Sequence, residues 1–138
     1  MKIERNPFAF FALFLLLFSG SGCVEYPEGP QYSIWPIRQR VLNTWTWSYA
    51  LEDGANNTGA RADSTMELAA DQTVRICAKT GEGCRTGTWN LVRKQTKLQL
   101  IFNGRAVAYD IQRLLRDEMW LYVEDNGVTY DWELVPAN

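Results

Sequence analysis

The chain has 138 residues, of which 14 are Lys or Arg and 16 are Asp or Glu, giving a formal net charge of −2. This mild acidity is spread along the chain without a basic stripe, which excludes nucleic acid as a partner. The sequence contains no histidine, so Ser-His-Asp and Cys-His catalytic arrangements and His-based metal sites are excluded as well.

The first 22 residues have the three parts of a secretory signal peptide. Lys2 and Arg5 make a basic start, an apolar run covers residues 8–18, and Ser19-Gly20-Ser21-Gly22 forms an exit of small residues. The 11 apolar residues of the run are fewer than the about 20 that cross a bilayer. We therefore expect a signal peptide at 1–22 rather than a permanent transmembrane helix.

Cys23 follows this exit directly, and the segment resembles the lipobox of bacterial lipoproteins, with Gly20 where Leu is usual. Looser boxes of Ser, Gly and Phe are typical of lipoproteins from Bacteroidetes. The resemblance implies cleavage before Cys23, a diacylglycerol on its thiol and acylation of its new amino group. It places the protein in the bacterial cell envelope, anchored to the outer membrane on its periplasmic or surface face. The alternative is an ordinary cleaved signal with an incidental cysteine.

Residues 23–40 contain three prolines and a glycine before any regular pattern begins. We interpret this segment as a tether, with a short helical turn at 36–42 and with Trp35 and Ile37 plugging one end of the domain. Residues 41–138 then form a single domain, since the 116 residues left after removal of 1–22 from 138 are enough for one domain and not for two.

From Val41 onward the chain alternates apolar and polar residues with the period of a β-strand. The apolar members predict eight strands, around Trp45–Leu51, Met66–Leu68, Val74–Ile76, Trp89–Leu91, Leu98–Phe102, Val107–Ile111, Met119–Val123 and Tyr130–Leu134. A polar loop is expected between the first two. Asn103-Gly104 and Asn126-Gly127 are strong hairpin signals. The pattern predicts an all-β fold, an eight-stranded antiparallel up-and-down barrel without exposed edges.

Alternation also predicts which side chains point into the barrel. The inward set contains eight aromatic residues: Trp45, Trp47, Tyr49, Trp89, Phe102, Tyr109, Tyr130 and Trp132. Eight strands enclose a space that side chains fill or that holds one small ligand, and both outcomes are open here. If a cleft exists at the barrel mouth, Trp45, Trp47, Trp89, Tyr109 and Trp132 are the candidates for binding a small apolar or sugar-like ligand.

Cys77 and Cys84 are the pair that remains once Cys23 is assigned to lipid. In an oxidising compartment they predict a disulfide across the hairpin between the third and fourth strands, on the outward side. A redox-active pair is the weaker alternative, because the spacing is not Cys-x-x-Cys.

The outward set raises two further hypotheses. Trp120 and Tyr122 form either a patch for a protein partner or a surface that the N-terminal segment with Trp35 covers. Asp63-Ser64-Thr65 resembles the O-glycosylation site of exported Bacteroidetes proteins, which makes Ser64 a candidate for modification.

Acidic residues on the predicted outer face, Asp110, Asp131 and Glu133, could suggest the paired carboxylates of a glycosidase. They are interleaved with polar residues, and we interpret them as a solvated face. They also lack the spacing of a calcium loop, so no metal and no other cofactor is expected.

Several short motifs resemble the lipocalin-like lipoproteins of Bacteroidetes: Leu42-Asn43-Thr44-Trp45, Asp71-Gln72-Thr73-Val74, Thr86-Gly87-Thr88-Trp89-Asn90-Leu91 and Lys97-Leu98-Gln99-Leu100. In that family Asn43 and Gln72 would both be glycine. The likeness covers about residues 41–135 and implies a small calycin-like barrel.

Together these features predict a membrane-anchored, lipocalin-like lipoprotein without enzymatic activity that binds a small ligand at its mouth. The alternative is a protein-interaction module, such as an inhibitor or accessory subunit of an envelope complex, that uses its outer surface.

Overall fold

The computed structural model describes residues 24–30 and 33–138, so the predicted signal peptide and Cys23 lie outside the described residues. Two short helices and nine strands follow one another along the described chain. In chain order they are α1 (Ile37–Val41), β1 (Asn43–Glu52), β2 (Ala55–Asn56), α2 (Thr58–Ala62), β3 (Ser64–Leu68), β4 (Thr73–Ala78), β5 (Arg85–Val92), β6 (Lys97–Phe102), β7 (Arg105–Leu114), β8 (Met119–Asp125) and β9 (Val128–Pro136).

The eight longer strands form a closed antiparallel barrel, as predicted. Each strand from β3 to β8 pairs with the next along the chain, and β1 pairs with both β3 and β9. The polar loop expected after the first strand instead contains β2, which pairs only with the end of β1, and the helix α2. Closure leaves no unpaired edge on the main sheet.

Two predicted Asn-Gly hairpins are present, and both residues of each turn have positive φ. The values are 51° and 78° for Asn103 and Gly104, and 52° and 78° for Asn126 and Gly127. Positive φ at both central residues gives the turn a backbone twist that matches the right-handed twist of the two strands it joins. These turns lie at the end of the barrel where β1 finishes; we refer to this end as the mouth and to the opposite end, next to α1, as the closed end.

The interior is filled by large apolar side chains, among which Trp45 is 0% and Trp89 1% exposed. One expected inward residue, Tyr49, faces outward instead. The pairing of β1 with β9 shifts by one residue between Trp47 and Tyr49, which places Tyr49 opposite Glu133 and turns Ala50 inward. A bulge of this kind reverses the alternation beyond it, and a uniform period of two therefore predicted the wrong side for Tyr49.

The N-terminal segment and α1 seal the closed end. Tyr26 is buried and its hydroxyl donates to the carbonyl of Gln95 at 2.9 Å. The Arg40 guanidinium is also buried, and its Nη1 donates to the carbonyl of Leu114 at 2.6 Å. Trp35, which we expected in this plug, is 43% exposed and lies against Arg116. Part of the segment interpreted as a tether thus packs on the barrel.

Cys77 and Cys84 lie at disulfide distance, with their Sγ atoms 2.09 Å apart. Cys77 is opposite Thr65 in the β3–β4 pair, on the same outward side. The bond therefore braces the turn between β4 and β5 at the mouth without entering the core.

Gly87, in the inward register of β5 with Trp89, is a position where the fold requires glycine. A Cβ built there would collide with the carbonyl oxygen of Ile101 and with Cδ1 of Phe102. Because a backbone atom is one of the two obstacles, the neighbouring strand would have to move to make room.

We therefore expect Gly87→Ala to lower the free energy of unfolding by about 1–3 kcal/mol, the usual cost of overpacking, as measured by urea denaturation. Gly59→Ala in α2 is the matched control, since its Cβ would meet no atom within 4 Å. That control should leave stability unchanged or raise it by up to about 1 kcal/mol. Equal effects of the two substitutions would contradict the packing argument.

Candidate functional site

A cleft of about 430 Å³ opens at the mouth of the barrel. Its lining combines apolar side chains from the inner wall with charged side chains at the rim. The lining residues are Arg61, Ile76, Arg85, Leu100, Phe102, Asn103, Arg105, Val107, Tyr109, Asp125, Tyr130 and Trp132. Because α1 and Tyr26 close the opposite end, this cleft is a pocket with one entrance and not a channel.

Stacked aromatic rings form the floor of the cleft. Tyr109 and Trp132 stack with their ring centroids 4.9 Å apart and an interplanar angle of 26°. Tyr130 and Trp47 each meet Trp132 edge to face, at centroid distances of 5.8 and 5.5 Å. Such clusters present flat, rigid apolar surface with little conformational freedom to lose.

Helix α2 places Arg61 above this floor. The Arg61 guanidinium carbon lies 5.4 Å from the ring centroid of Trp132 and 5.7 Å from that of Trp47. Its Nε donates to Oε1 of Glu52 at 2.7 Å. Both cation–π contact and ion pair hold the side chain over the aromatic rings.

Glu52 connects helix α2 to the aromatic floor of the cleft. Its Oε2 accepts a hydrogen bond from Nδ2 of Asn57 at 3.0 Å, and its Oε1 accepts one from the indole Nε1 of Trp132 at 3.2 Å. Burial alone would raise the pKa of Glu52, but the hydrogen bonds from Arg61, Asn57 and Trp132 outweigh it and hold that pKa below its usual value.

Tyr109 presents a neutral phenol to the cleft. Burial, reinforced by the neighbouring Tyr130, raises the pKa of Tyr109 to about 12, although Arg61 opposes the shift. At neutral pH the hydroxyl is therefore protonated, and it can donate or accept a hydrogen bond.

Arg85 and Arg105 are the first residues of β5 and β7 and lie at the rim of the cleft. Arg105 forms an ion pair with Asp125 through its Nη2. Arg85 lies over Phe102, with its guanidinium carbon 4.9 Å from the ring centroid. The cleft thus has an aromatic floor and a cationic rim.

The five predicted ligand-binding residues separate into two groups. Tyr109 and Trp132 line the cleft, and Trp47 packs beside Trp132 under Arg61. Trp45 and Trp89 lie toward the closed end, where their indole Nε1 groups donate to the carbonyls of Val41 and Ala69, both at 2.9 Å. These two are buried structural residues and do not reach the mouth.

Sequence reasoning missed the charged residues of the site: Glu52, Arg61, Arg85 and Arg105. The alternation within β5 and β7 already places Arg85 and Arg105 in the same register as the inward residues Trp89 and Tyr109, and this signal was present in the sequence. Arg61 and Glu52 carried no such signal, because their meeting depends on how α2 folds over the mouth.

The candidate partner patch lies on the outer face of the barrel. Trp120 is half-buried and Tyr122 is 37% exposed. They line a shallow groove with Glu28 of the N-terminal segment, whereas Trp35 lies against Arg116. The segment around Glu28, rather than Trp35, therefore borders these two aromatic residues.

Ser64, the candidate glycosylation site, is the half-buried first residue of β3. Cys23, the candidate lipidation site, lies outside the described residues.

Within residues 24–30 and 33–138, no group of three or more His, Cys, Asp or Glu side chains is placed to hold a metal ion. In the same part of the chain, no helix has the length and apolar character needed to cross a membrane.

The fold is a small eight-stranded antiparallel barrel, closed at one end and open at the other. The chain is similar in structure to a lipocalin-like protein from Bacteroides uniformis ATCC 8492, with a TM-score of 0.55 and 10% sequence identity. The likeness covers 71% of this chain and 99% of that one. No protein-family model and no curated protein matches the sequence. The predicted lipocalin-like fold is confirmed.

The contact between Glu52 and Arg61 leads to a pH-dependent prediction. A carboxylate with a lowered pKa in the folded protein stabilises the fold fully above its unfolded pKa, about 4.3. That stabilisation is lost as the pH falls through the lowered folded pKa. We expect Glu52→Gln to reduce the free energy of unfolding by about 1 kcal/mol at pH 7, and the difference from wild type to shrink below about pH 4.3.

Urea denaturation across a pH series measures this difference. Glu67→Gln, at an exposed position on β3, is the control and should stay within about 0.5 kcal/mol of wild type at every pH. A Glu52→Gln effect that does not vary with pH would show that side-chain shape, and not the charge of Glu52, is responsible.

Proposed function

We propose that the protein is a non-enzymatic binding protein that takes up a small apolar or sugar-like ligand at the barrel mouth. The observation that supports this most directly is the cleft of about 430 Å³ with the Tyr109–Trp132 stack as its floor. This volume lies near the lower end of the roughly 300–1,000 Å³ usual for small-molecule sites. The ligand is therefore small, and a flat apolar face or a sugar ring suits stacking on these aromatic residues.

The proposal contains no catalytic step. The sequence has no histidine, and the carboxylates of Glu52 and Asp125, beside the cleft, are each bound by an arginine. A carboxylate held in an ion pair with its pKa lowered, as for Glu52, is a poor general acid or base near neutral pH.

The proposal includes a lipid anchor on Cys23 that holds the protein at the outer membrane of a bacterial envelope. Its support is the signal-like segment with the lipobox-like exit described above. Cys23 directly precedes Val24, which packs against the core, and it is three residues before Tyr26, which lies at the closed end. An anchor at this point would bring the closed end toward the membrane and leave the mouth facing away from it.

A second candidate function is binding of a protein partner on the outer face. The observation that favours it is the groove containing Trp120 and Tyr122, since the indole N–H of Trp120 is buried there without a hydrogen-bond partner among the described residues. A partner could supply the missing acceptor.

A substitution that fills the cleft distinguishes the two candidate functions experimentally. Val107 lines the cleft, and Val107→Trp should occupy its space and abolish binding of the neutral apolar probe N-phenyl-1-naphthylamine, measured by fluorescence titration. Ala106→Trp adds the same side chain one residue earlier on β7, at an exposed position, and should bind like wild type.

Circular dichroism checks that both variants are folded. Equal probe binding by the wild-type protein and Val107→Trp would contradict a ligand site at the mouth. Loss of a co-purifying envelope protein in Tyr122→Ala, but not in Val107→Trp, would favour the second candidate.

The anchor is tested by Cys23→Ser in a bacterial host, followed by separation of membranes from soluble protein. We expect the variant to move into the soluble fraction because the thiol that accepts the lipid is gone. Cys77→Ser keeps Cys23 and should remain with the membranes. Persistent membrane association of Cys23→Ser would contradict lipidation.

A further inference from the structure

The charged residues that line the cleft are mainly basic, although the whole chain is acidic. Three arginines line the cleft, Arg61, Arg85 and Arg105, and two carboxylates contact them, Glu52 and Asp125. The local formal charge is thus three minus two, or +1, in a chain whose net charge is −2. The excess cation belongs to the cleft lining and its ion-pair partners.

Arg85 is the source of this excess. Arg61 is paired with Glu52 and Arg105 with Asp125. Within the described part of the chain, Arg85 forms no ion pair and its guanidinium donates no hydrogen bond. Its donors are therefore available to a ligand in the cleft.

The backbone of β5 directs Arg85 toward the cleft. Arg85, Gly87 and Trp89 are alternate residues of one strand and share its inward face. Because Gly87 has no side chain, Phe102 packs directly against it. The ring of Phe102 then lies 4.9 Å from the Arg85 guanidinium carbon and holds that group at the wall of the cleft.

An apolar floor beside an available guanidinium suits a ligand that has both an apolar part and an anionic part. A planar guanidinium donates two parallel hydrogen bonds to an oxyanion, and such charge-assisted bonds are stronger than neutral ones. The Tyr109–Trp132 stack lines the same cleft with apolar surface, which suits an aromatic or alkyl body. A ligand with both an oxyanion and an apolar body would contact the Arg85 guanidinium and the aromatic floor at the same time.

We propose that the cleft selects amphipathic monoanions, with an aromatic or alkyl body on the Tyr109–Trp132 stack and a carboxylate or sulfonate on Arg85. This inference rests on the proposed ligand-binding function and adds to it the charge of the ligand. The neutral sugar-like ligands considered above become the weaker class.

Two fluorescent probes that share one aromatic ring system, and differ by a sulfonate group, test whether the cleft prefers an anionic ligand. N-phenyl-1-naphthylamine is neutral, and 1-anilinonaphthalene-8-sulfonate adds one sulfonate to the same ring system. We expect the sulfonate probe to bind the wild-type protein more tightly. In Arg85→Met its affinity should fall about fivefold, while the affinity of the neutral probe stays unchanged.

Two variants serve as controls. Arg75→Met removes the same charge from an exposed position on β4 and should change neither affinity. Arg85→Lys keeps the charge without the planar fork and should retain part of the preference for the sulfonate. The preference of the wild-type protein should also weaken as salt is added.

The outcomes distinguish this inference from the function on which it rests. Equal affinity of wild type for the two probes, or equal losses in Arg85→Met and Arg75→Met, would overturn the selection of anions and leave ligand binding intact. Failure of both probes to bind the wild-type protein would overturn both proposals. A sulfonate preference that disappears only in Arg85→Met supports the assignment.

Discussion

The pairing of β1 with β9 is the constraint on which the rest of the structure depends. Seven residue pairs join these two strands and close the sheet, so every longer strand has two neighbours and the sheet has one enclosed face. An eight-stranded barrel has room inside for little more than its own side chains. Four tryptophans, Trp45, Trp47, Trp89 and Trp132, therefore fill much of the interior, and the cleft opens where the strands end.

The two ends of the barrel differ because of what the chain places at each. At the closed end, α1 and Tyr26 cover the interior, and the buried Arg40 donates through Nη1 to the Leu114 carbonyl and lies near the Tyr26 ring. At the mouth, the hairpin turns are short and α2 covers only part of the opening. Burial lowers the pKa of Arg40 and raises that of Tyr26 to about 12, which is typical of groups sealed from water. The cations of the mouth, by contrast, face a cleft that a ligand can enter.

The segment that follows the proposed anchor reaches the closed end through Tyr26, opposite the proposed binding site at the mouth. Since residues 24–30 pack at the closed end, a lipid on Cys23 would leave little free chain between the membrane and the domain. The cleft would then face the aqueous phase of the envelope, where a small amphipathic anion can reach it. This arrangement separates attachment from binding, so that either can be altered without the other.

The sequence alone was enough to predict the eight strands of the barrel, the two Asn-Gly hairpins, the Cys77–Cys84 pair and the inward position of most aromatic residues. These features depend on turn chemistry and on alternation within single strands, which are local. Only the tertiary structure decided that Tyr49 faces outward, that Trp45 and Trp89 lie away from the mouth, and that α2 brings Arg61 to Glu52. The bulge in β1 is set by its partner β9, about 85 residues along the chain. Whether an end of the barrel is closed or open depends on the segments that fold over it. Such long-range contacts leave no periodic signal in the sequence, and for that reason the Arg61–Glu52 pair appears only once the barrel is closed, whereas Arg85 and Arg105 already share the register of the inward residues.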